Sequence, residues 1–179
     1  MIYVALLRGI NVGGNRKVEM VRLKTTFESL GFTDVKTYIN SGNVIFKTNN
    51  DSVPDIVDEV EVGIERDFGF RVHVVVRDLP SIQEIDKIVP KSWTNDTNMK
   101  TDVMFLWEEI DNPDIVKKIV IKPEIESVQY VKGTLLWNLD RKNVTKSGML
   151  KIVGTDLYKK MTVRNINTLR RLKILMEDL

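Results

Sequence analysis

The chain has no cysteine, which excludes disulfide frameworks, thiolate metal sites and thiol nucleophiles. It has one histidine, His73, too few for the paired imidazoles and thiolates that zinc sites are built from. Long apolar runs are also missing. The opening segment Ile2 to Leu7 gives way to Arg8 after about six residues, short of both a signal peptide's apolar region and a membrane span. A cytoplasmic location with no membrane partner is therefore expected. Aromatic residues are sparse at 7%, and the basic part of the chain carries only Tyr158, so base stacking on a single-stranded nucleic acid has little to work with.

What is present is an ordinary globular composition. With 179 residues, of which 42% are hydrophobic, the chain can fill one large core or two small ones. The net charge is only +2 but is segregated: Arg141 to Lys173 holds ten basic residues against Asp156 alone, a net of +9. Such a block attracts phosphates or an acidic partner, or it is a solvated helical surface that pairs with the acidic remainder.

Hydrophobic periodicity gives an alternating order in the first half. Ile2 to Leu7 is a buried strand; Met20, Leu23, Phe27 and Leu30 recur at helical steps and stop at Gly31. Val35 to Asn40 and Asn43 to Lys47 read as a hairpin around Ser41-Gly42. A helix follows over about Val53 to Phe68, opened by Pro54, and Arg71 to Arg77 is a valine-rich strand. The second half has a short helix over about Ser81 to Val89, a strand from Asp102 to Trp107, a helix from Pro113 to Ile121 and a hairpin of Ser127 to Val131 with Thr134 to Leu139. A helical turn near Ser147 to Val153 and a final helix from about Asn165 to Met176 close the chain, with no convincing last strand. The expected fold class is α+β, with two ferredoxin-like (βαββαβ-type) halves in a pseudo-duplicated arrangement: a subdomain over residues 1–78, and a second over 79–179 with C-terminal helices. In that arrangement the loop after the first strand and the turn after the second leave one edge of the sheet.

Three polar stretches flank these elements. In the first, Leu7 to Lys17, Gly9 and Gly14 have the spacing of a phosphate-binding loop, but Asn15 and Arg16 stand where lysine and a hydroxyl residue would be needed. Its amides, together with Arg8, Asn11, Gly13, Gly14, Arg16 and Lys17, suit an anion; its glycines also suit a plain strand-to-helix connection. In the second, Asn40-Ser41-Gly42-Asn43 is what a tight hairpin demands, and Ser41 lacks the flanking residues of a nucleophile elbow. In the third, Thr162, Arg164, Asn165, Asn167 and Thr168 exceed what one helix cap needs, so capping alone and capping with anion binding both stand. His73 alternates with Arg71 and Arg77 as an exposed strand residue would. The carboxylates Asp58, Glu59, Glu61 and Glu65, and Glu108 with Glu109, look like solvated surface.

These stretches, with Ser147-Gly-Met-Leu-Lys151, closely resemble the bacterial domain-of-unknown-function family 1697. The strongest likenesses are Leu6-Leu-Arg-Gly-Ile-Asn-Val-Gly-Gly14 with Val18-Glu-Met20, Thr37 to Phe46, and Thr162 to Thr168. Where the family often has tryptophan in the last stretch, this chain has Ile166. The resemblance implies an α+β fold of two ferredoxin-like halves and no established activity, cofactor or catalytic residue.

The leading expectation is a cytoplasmic binding protein for a small anionic ligand containing phosphate or a nucleotide, with nucleic acid a less favoured partner. The alternatives are an enzyme acting on such a ligand, for which the residues name no nucleophile or base, and a protein-interaction module whose motifs only fix turns and caps. No cofactor and no metal are assigned.

Overall fold

Strand β1 (Ile2–Leu7) is buried from Tyr3 through Leu7, and a strand apolar on both faces must take an interior position. In the computed structural model, which describes residues 1–14 and 16–179, β1 pairs antiparallel with β3 (Asn43–Lys47) on one side and β4 (Val74–Asp78) on the other. Strand β2 (Thr33–Tyr38), with Lys36 exposed, pairs antiparallel with β3 and lies at the edge of a sheet ordered β2-β3-β1-β4. Because β1 and β2 both oppose β3, they run parallel to each other, and their C-terminal ends leave the sheet on the same side.

Helices α1 (Met20–Ser29) and α2 (Val53–Phe68) bury their apolar stripes on this sheet. Leu23 and Phe27 of α1 and Ile56, Val60 and Ile64 of α2 form one core with Tyr3, Ala5, Leu7, Phe32, Val44, Phe46, Val74 and Val76. The strand residues alternate, as one face of a sheet requires. Phe46 is the hub, with ring centroids 4.5 Å from Phe32 and 5.4 Å from Phe27. Helix α2 is bounded as its sequence predicts: the Ser52 hydroxyl accepts the Asp55 N–H, Pro54 lies in the first turn, and Gly69 ends the helix at φ 78°. Between the helices, Asp67 accepts hydrogen bonds from Arg66 Nε at 2.7 Å and the Thr26 hydroxyl at 2.7 Å. Those donors, Arg66 first and Thr26 second, hold its carboxyl down at about 2.

By contact the chain forms two units, Met1–Ile82 with Leu172–Leu179, and Gln83–Arg171. The second unit holds β5 (Met99–Leu106), β6 (Glu126–Val131), β7 (Thr134–Asp140) and β8 (Met161–Asn165), all neighbours antiparallel, in the order β6-β7-β5-β8. Its core gathers Met104, Leu106, Ile110, Ile115, Leu135, Trp137, Leu139, Ile152 and Met161. The fold class is thus α+β with two four-stranded antiparallel sheets. Helix α3 (Leu79–Ile88) precedes β5, α4 (Met149–Ile152) and α5 (Asp156–Lys159) lie between β7 and β8, and α6 (Ile166–Glu177) follows β8. Among the described residues no helix is long and apolar enough to cross a membrane.

The fourth strand begins at Val74 rather than Arg71, which leaves His73 outside it, and two further elements differ in kind from the sequence expectation. Pro113–Lys118 is a 3-10 helix rather than an α-helix. The second half does have a last strand: Met161–Asn165 is β8, paired with β5, and the last helix starts at Ile166. The strand was hidden because Thr162 and Arg164, polar by type, are both buried, so the segment's composition resembles a cap while its burial is that of a strand.

The Ser147-Gly148 stretch is explained by Glu126. This buried carboxylate accepts hydrogen bonds from the Trp137 indole at 3.0 Å, the Lys122 N–H at 2.8 Å, the Gly148 N–H at 3.0 Å and, closest, the Ser147 hydroxyl. Burial alone would raise its pKa, but the donors, Ser147 foremost, outweigh burial and hold it below the usual carboxylate value. A Cβ on Gly148 would stand 1.9 Å from the Val120 carbonyl oxygen and 2.8 Å from Glu126 Oε1, so only glycine fits.

Two stability tests follow from these contacts. Asp67→Asn should lower the unfolding midpoint at neutral pH. Because the folded-state pKa is depressed, the difference from the parent should shrink as pH falls from about 4 toward about 2 and be gone below that; a pH series of thermal melts measures it. Gly148→Ala should cost about 1–3 kcal/mol or more in urea denaturation, as a side chain forced against backbone does.

Candidate functional site

The end of β1 organises the first unit's loop corner. The Leu7 N–H donates to the Gly42 carbonyl at 2.8 Å and the Arg8 N–H to the His73 carbonyl at 2.9 Å. Each bond lies one pair beyond the end of its ladder, Leu7 with Gly42 past β1–β3 and Arg8 with His73 past β1–β4. The first loop, the hairpin turn and the residues leading into β4 therefore meet at one edge of one sheet.

Asn11 ties the first two together. Its Nδ2 donates to the Val18 carbonyl at 3.0 Å and the Asn40 carbonyl at 2.8 Å, and its Oδ1 accepts the Val18 N–H at 2.8 Å. The loop closes on itself through the Asn11 N–H to the Arg16 carbonyl at 3.1 Å. In the turn, buried Asn43 donates to the Tyr38 carbonyl at 2.9 Å and the Ser41 hydroxyl at 3.0 Å. Gly42 is needed twice over: its φ is 79°, and a Cβ there would lie 2.6 Å from Ile10 Cδ1 and 2.8 Å from Leu7 Cβ. Val12, Gly13, Gly14, Arg16, Lys17, Ile39 and Asn40 are exposed, and Arg8 and Ser41 are half-buried. Asn15 lies outside the described residues.

Backbone strain concentrates here. Among the described residues, four other than glycine have positive φ, and three of them are Asn11 at 54°, Arg16 at 50° and Ile39 at 48°. Asparagine tolerates this region; a β-branched isoleucine does not, and such a conformation costs about 1–3 kcal/mol.

The corner includes one pair of side chains that sequence reasoning did not assign to it. Glu61 of α2, expected on the solvated surface, is buried. Its Oε1 accepts the Val74 N–H at 3.0 Å, an amide on the outer side of edge strand β4, and lies 3.4 Å from His73 Nδ1; its Oε2 lies 3.4 Å from Arg71. The available signal was its place beside Val60 on the helix stripe, where a solvated carboxylate is out of pattern.

The third polar stretch belongs to the second unit. Asn165 Oδ1 accepts the Thr168 N–H at 2.9 Å, which caps α6. Asn167 Nδ2 donates to the Asn95 carbonyl at 2.9 Å. Arg164 is buried and donates to the Thr162 hydroxyl at 3.0 Å and the Val163 carbonyl at 2.9 Å, and its burial lowers its pKa to about 10. Elsewhere in the basic block, Lys159 pairs with Asp156 at 2.8 Å, Lys160 with Glu109 at 3.1 Å and Arg170 with Asp86 at 3.4 Å. A continuous exposed patch of Arg164, Arg170, Arg171, Lys159 and Lys160, the footprint a nucleic acid needs, does not form, since Arg164 is buried. Among the described residues no group of three or more His, Asp and Glu side chains is placed to hold a metal ion.

The chain belongs to the family described as protein of unknown function DUF1697, whose model matches residues 1–137. It is similar to the solved structure of conserved bacterial protein SP0830 from Streptococcus pneumoniae, at 27% identity and a TM-score of 0.83, with 98% of each chain covered. No curated protein matches it.

If Asn11 is the tie between loop and turn, Asn11→Ala should destabilise the protein by about 1–3 kcal/mol, the cost of orphaning partly buried backbone groups. It should also speed limited proteolysis within residues 8–17. Unchanged cleavage there would show that the loop holds its shape without the side chain.

Proposed function

We propose that the loop corner of the first unit binds a small anionic ligand containing phosphate or a nucleotide. The observation that carries this reading is the coincidence of three cations, Arg8, Arg16 and Lys17, with two exposed apolar side chains, Val12 and Ile39, where the backbone is strained at Asn11, Arg16 and Ile39. Strain persists where surrounding structure over-determines it, and it clusters at ligand clamps. Cations beside apolar surface suit a ligand with a charged and a flat or apolar part, as a nucleotide has. Gly13, Gly14, Asn40 and Ser41 complete the proposed lining, while Asn11 and Asn43 hold its shape through the hydrogen bonds described above. The α1 N-terminus contributes less, because its cap residue, Glu19, has a carboxylate that disfavours an anion there. We leave Thr162, Arg164, Asn165, Asn167 and Thr168 outside this site, since Thr162 and Arg164 are buried, Asn165 and Thr168 make the helix cap and Asn167 is bonded to the Asn95 carbonyl.

We also read each sheet with its helices as a ferredoxin-like half, over residues 1–78 and 79–179. Support comes from the orders β4-β1-β3-β2 and β8-β5-β7-β6, which repeat one connectivity with the second half's crossovers shortened to brief helices.

The test is a thermal-shift and calorimetry panel of phosphate, pyrophosphate, mononucleotides and RNA. Saturable binding of a phosphate-bearing probe is expected, and the triple substitution of Arg8, Arg16 and Lys17 by alanine should weaken it at least about tenfold, or about 1.4 kcal/mol. Silence across the panel would favour the interaction-module reading, and turnover of a probe would make the protein an enzyme.

A further inference from the structure

We propose that His73 is an anion-contacting residue of this corner, its protonated ring reaching the ligand beside Arg8 while Glu61 fixes the ring's orientation. The inference rests on the binding reading above and adds to it a residue, a protonation state and a pH dependence.

Three observations carry it. First, the Arg8 N–H to His73 carbonyl bond sets these residues opposite one another just beyond the last pair, Leu7 with Val74, of the antiparallel β1–β4 ladder. Opposed residues project from the same face of a sheet with Cβ atoms about 4.5–5.5 Å apart. Second, His73 Nδ1 faces Glu61 Oε1 at 3.4 Å, with the imidazole side chain 55% exposed and the carboxylate 9% exposed. A carboxylate at Nδ1 selects the tautomer whose proton is on Nδ1. In that neutral form Nε2 is only an acceptor and repels an oxyanion; adding a proton turns it into a second donor. Third, Glu61 is shared. Its oxygens also take the Val74 N–H and face Arg71, so its charge is divided among several donors rather than spent on the imidazole alone.

Among the described groups, Glu61 from α2 faces the ring, Arg71 from the segment before β4 shares that carboxylate, and Arg8, just past β1, is joined to His73 through the backbone. Protonated His73 is attracted by Glu61 and repelled by both arginines. An anion lying against Arg8 and His73 reverses that repulsion, so proton and anion should favour each other's binding. Affinity for an anion of constant charge should therefore be highest at acid pH and fall as pH rises through the imidazole range.

Inorganic sulfate is the suitable probe, because its charge is constant between about pH 5.5 and about pH 8, the span over which an imidazole changes state. Calorimetry on the full chain should show sulfate binding at least about fivefold tighter at the acid end, in line with a modest coupling. His73→Gln should flatten this dependence while keeping the weaker affinity seen at high pH. Because His73 is the chain's only histidine, its ring protons also give an unambiguous NMR titration of the unmodified protein, and saturating sulfate should move the midpoint upward. A His73→Gln variant that still tightens in acid, or a midpoint that sulfate leaves in place, would overturn the proposal while the anion site stands on its cations. If neither sulfate nor phosphate binds the unmodified protein at either pH, the anion site itself fails and the role of His73 fails with it.

Discussion

The interior position of β1 is the constraint on which the rest of the first unit depends. An edge strand has one ladder; β1 has two, and at its end Leu7 bonds to Gly42 on one side while Arg8, the next residue, bonds to His73 on the other. Those bonds bring together segments far apart in sequence, the loop at residues 8–17, the turn at 40–43 and the lead-in to β4 at 71–74. The cause is compositional. Ile2 to Leu7 leaves no face for water, so burial forces partners on both edges as well as helices on one face, and the edge where the ladders end becomes the place where loops converge.

Side-chain hydrogen bonding then divides these loop residues into two kinds. Asn11 and Asn43 have their amides engaged by backbone and by Ser41, so the asparagines that make the stretches look ligand-binding supply shape. Arg16, Lys17, Gly13 and Gly14 are exposed and Arg8 is half-buried, and these are the groups the proposed site draws on. An amide fixed by three hydrogen bonds orients a loop more firmly than one left to choose between water and a ligand, and orientation is what a site on a loop otherwise lacks.

Much of this was legible in the sequence, and the parts that were not share a physical reason. Periodicity located β1, α1, α2 and the two hairpins, and parallel β1 and β2 predicted that their following loops would be neighbours. What escaped were polar residues buried by tertiary contacts. Thr162 and Arg164 inside β8, Glu61 beneath the β4 edge and Glu126 beneath Ser147 are buried, and residue type alone assigns each of them to the surface. Gly148 shows the same limit from the other side. Its backbone, at φ −63°, suits any residue, and the need for glycine comes from the Val120 carbonyl and Glu126 pressed against it, partners more than 20 residues away in the chain.

Glu61 and Glu126 are a useful contrast, because both are buried carboxylates and only one borders a candidate site. Glu126 is enclosed by four donors that are all structural, two amides, an indole and a hydroxyl, within the second unit. A carboxylate so fully satisfied has no capacity left to respond to a ligand. Glu61 has one close donor, the Val74 amide, and two long contacts of 3.4 Å to Arg71 and His73, both of which reach solvent. Long contacts to exposed side chains are the ones a ligand can shorten, lengthen or replace at small cost. Burial fixes the position of Glu61 while exposure leaves its partners adjustable, and that combination, absent at Glu126, is what the proposed role of His73 rests on.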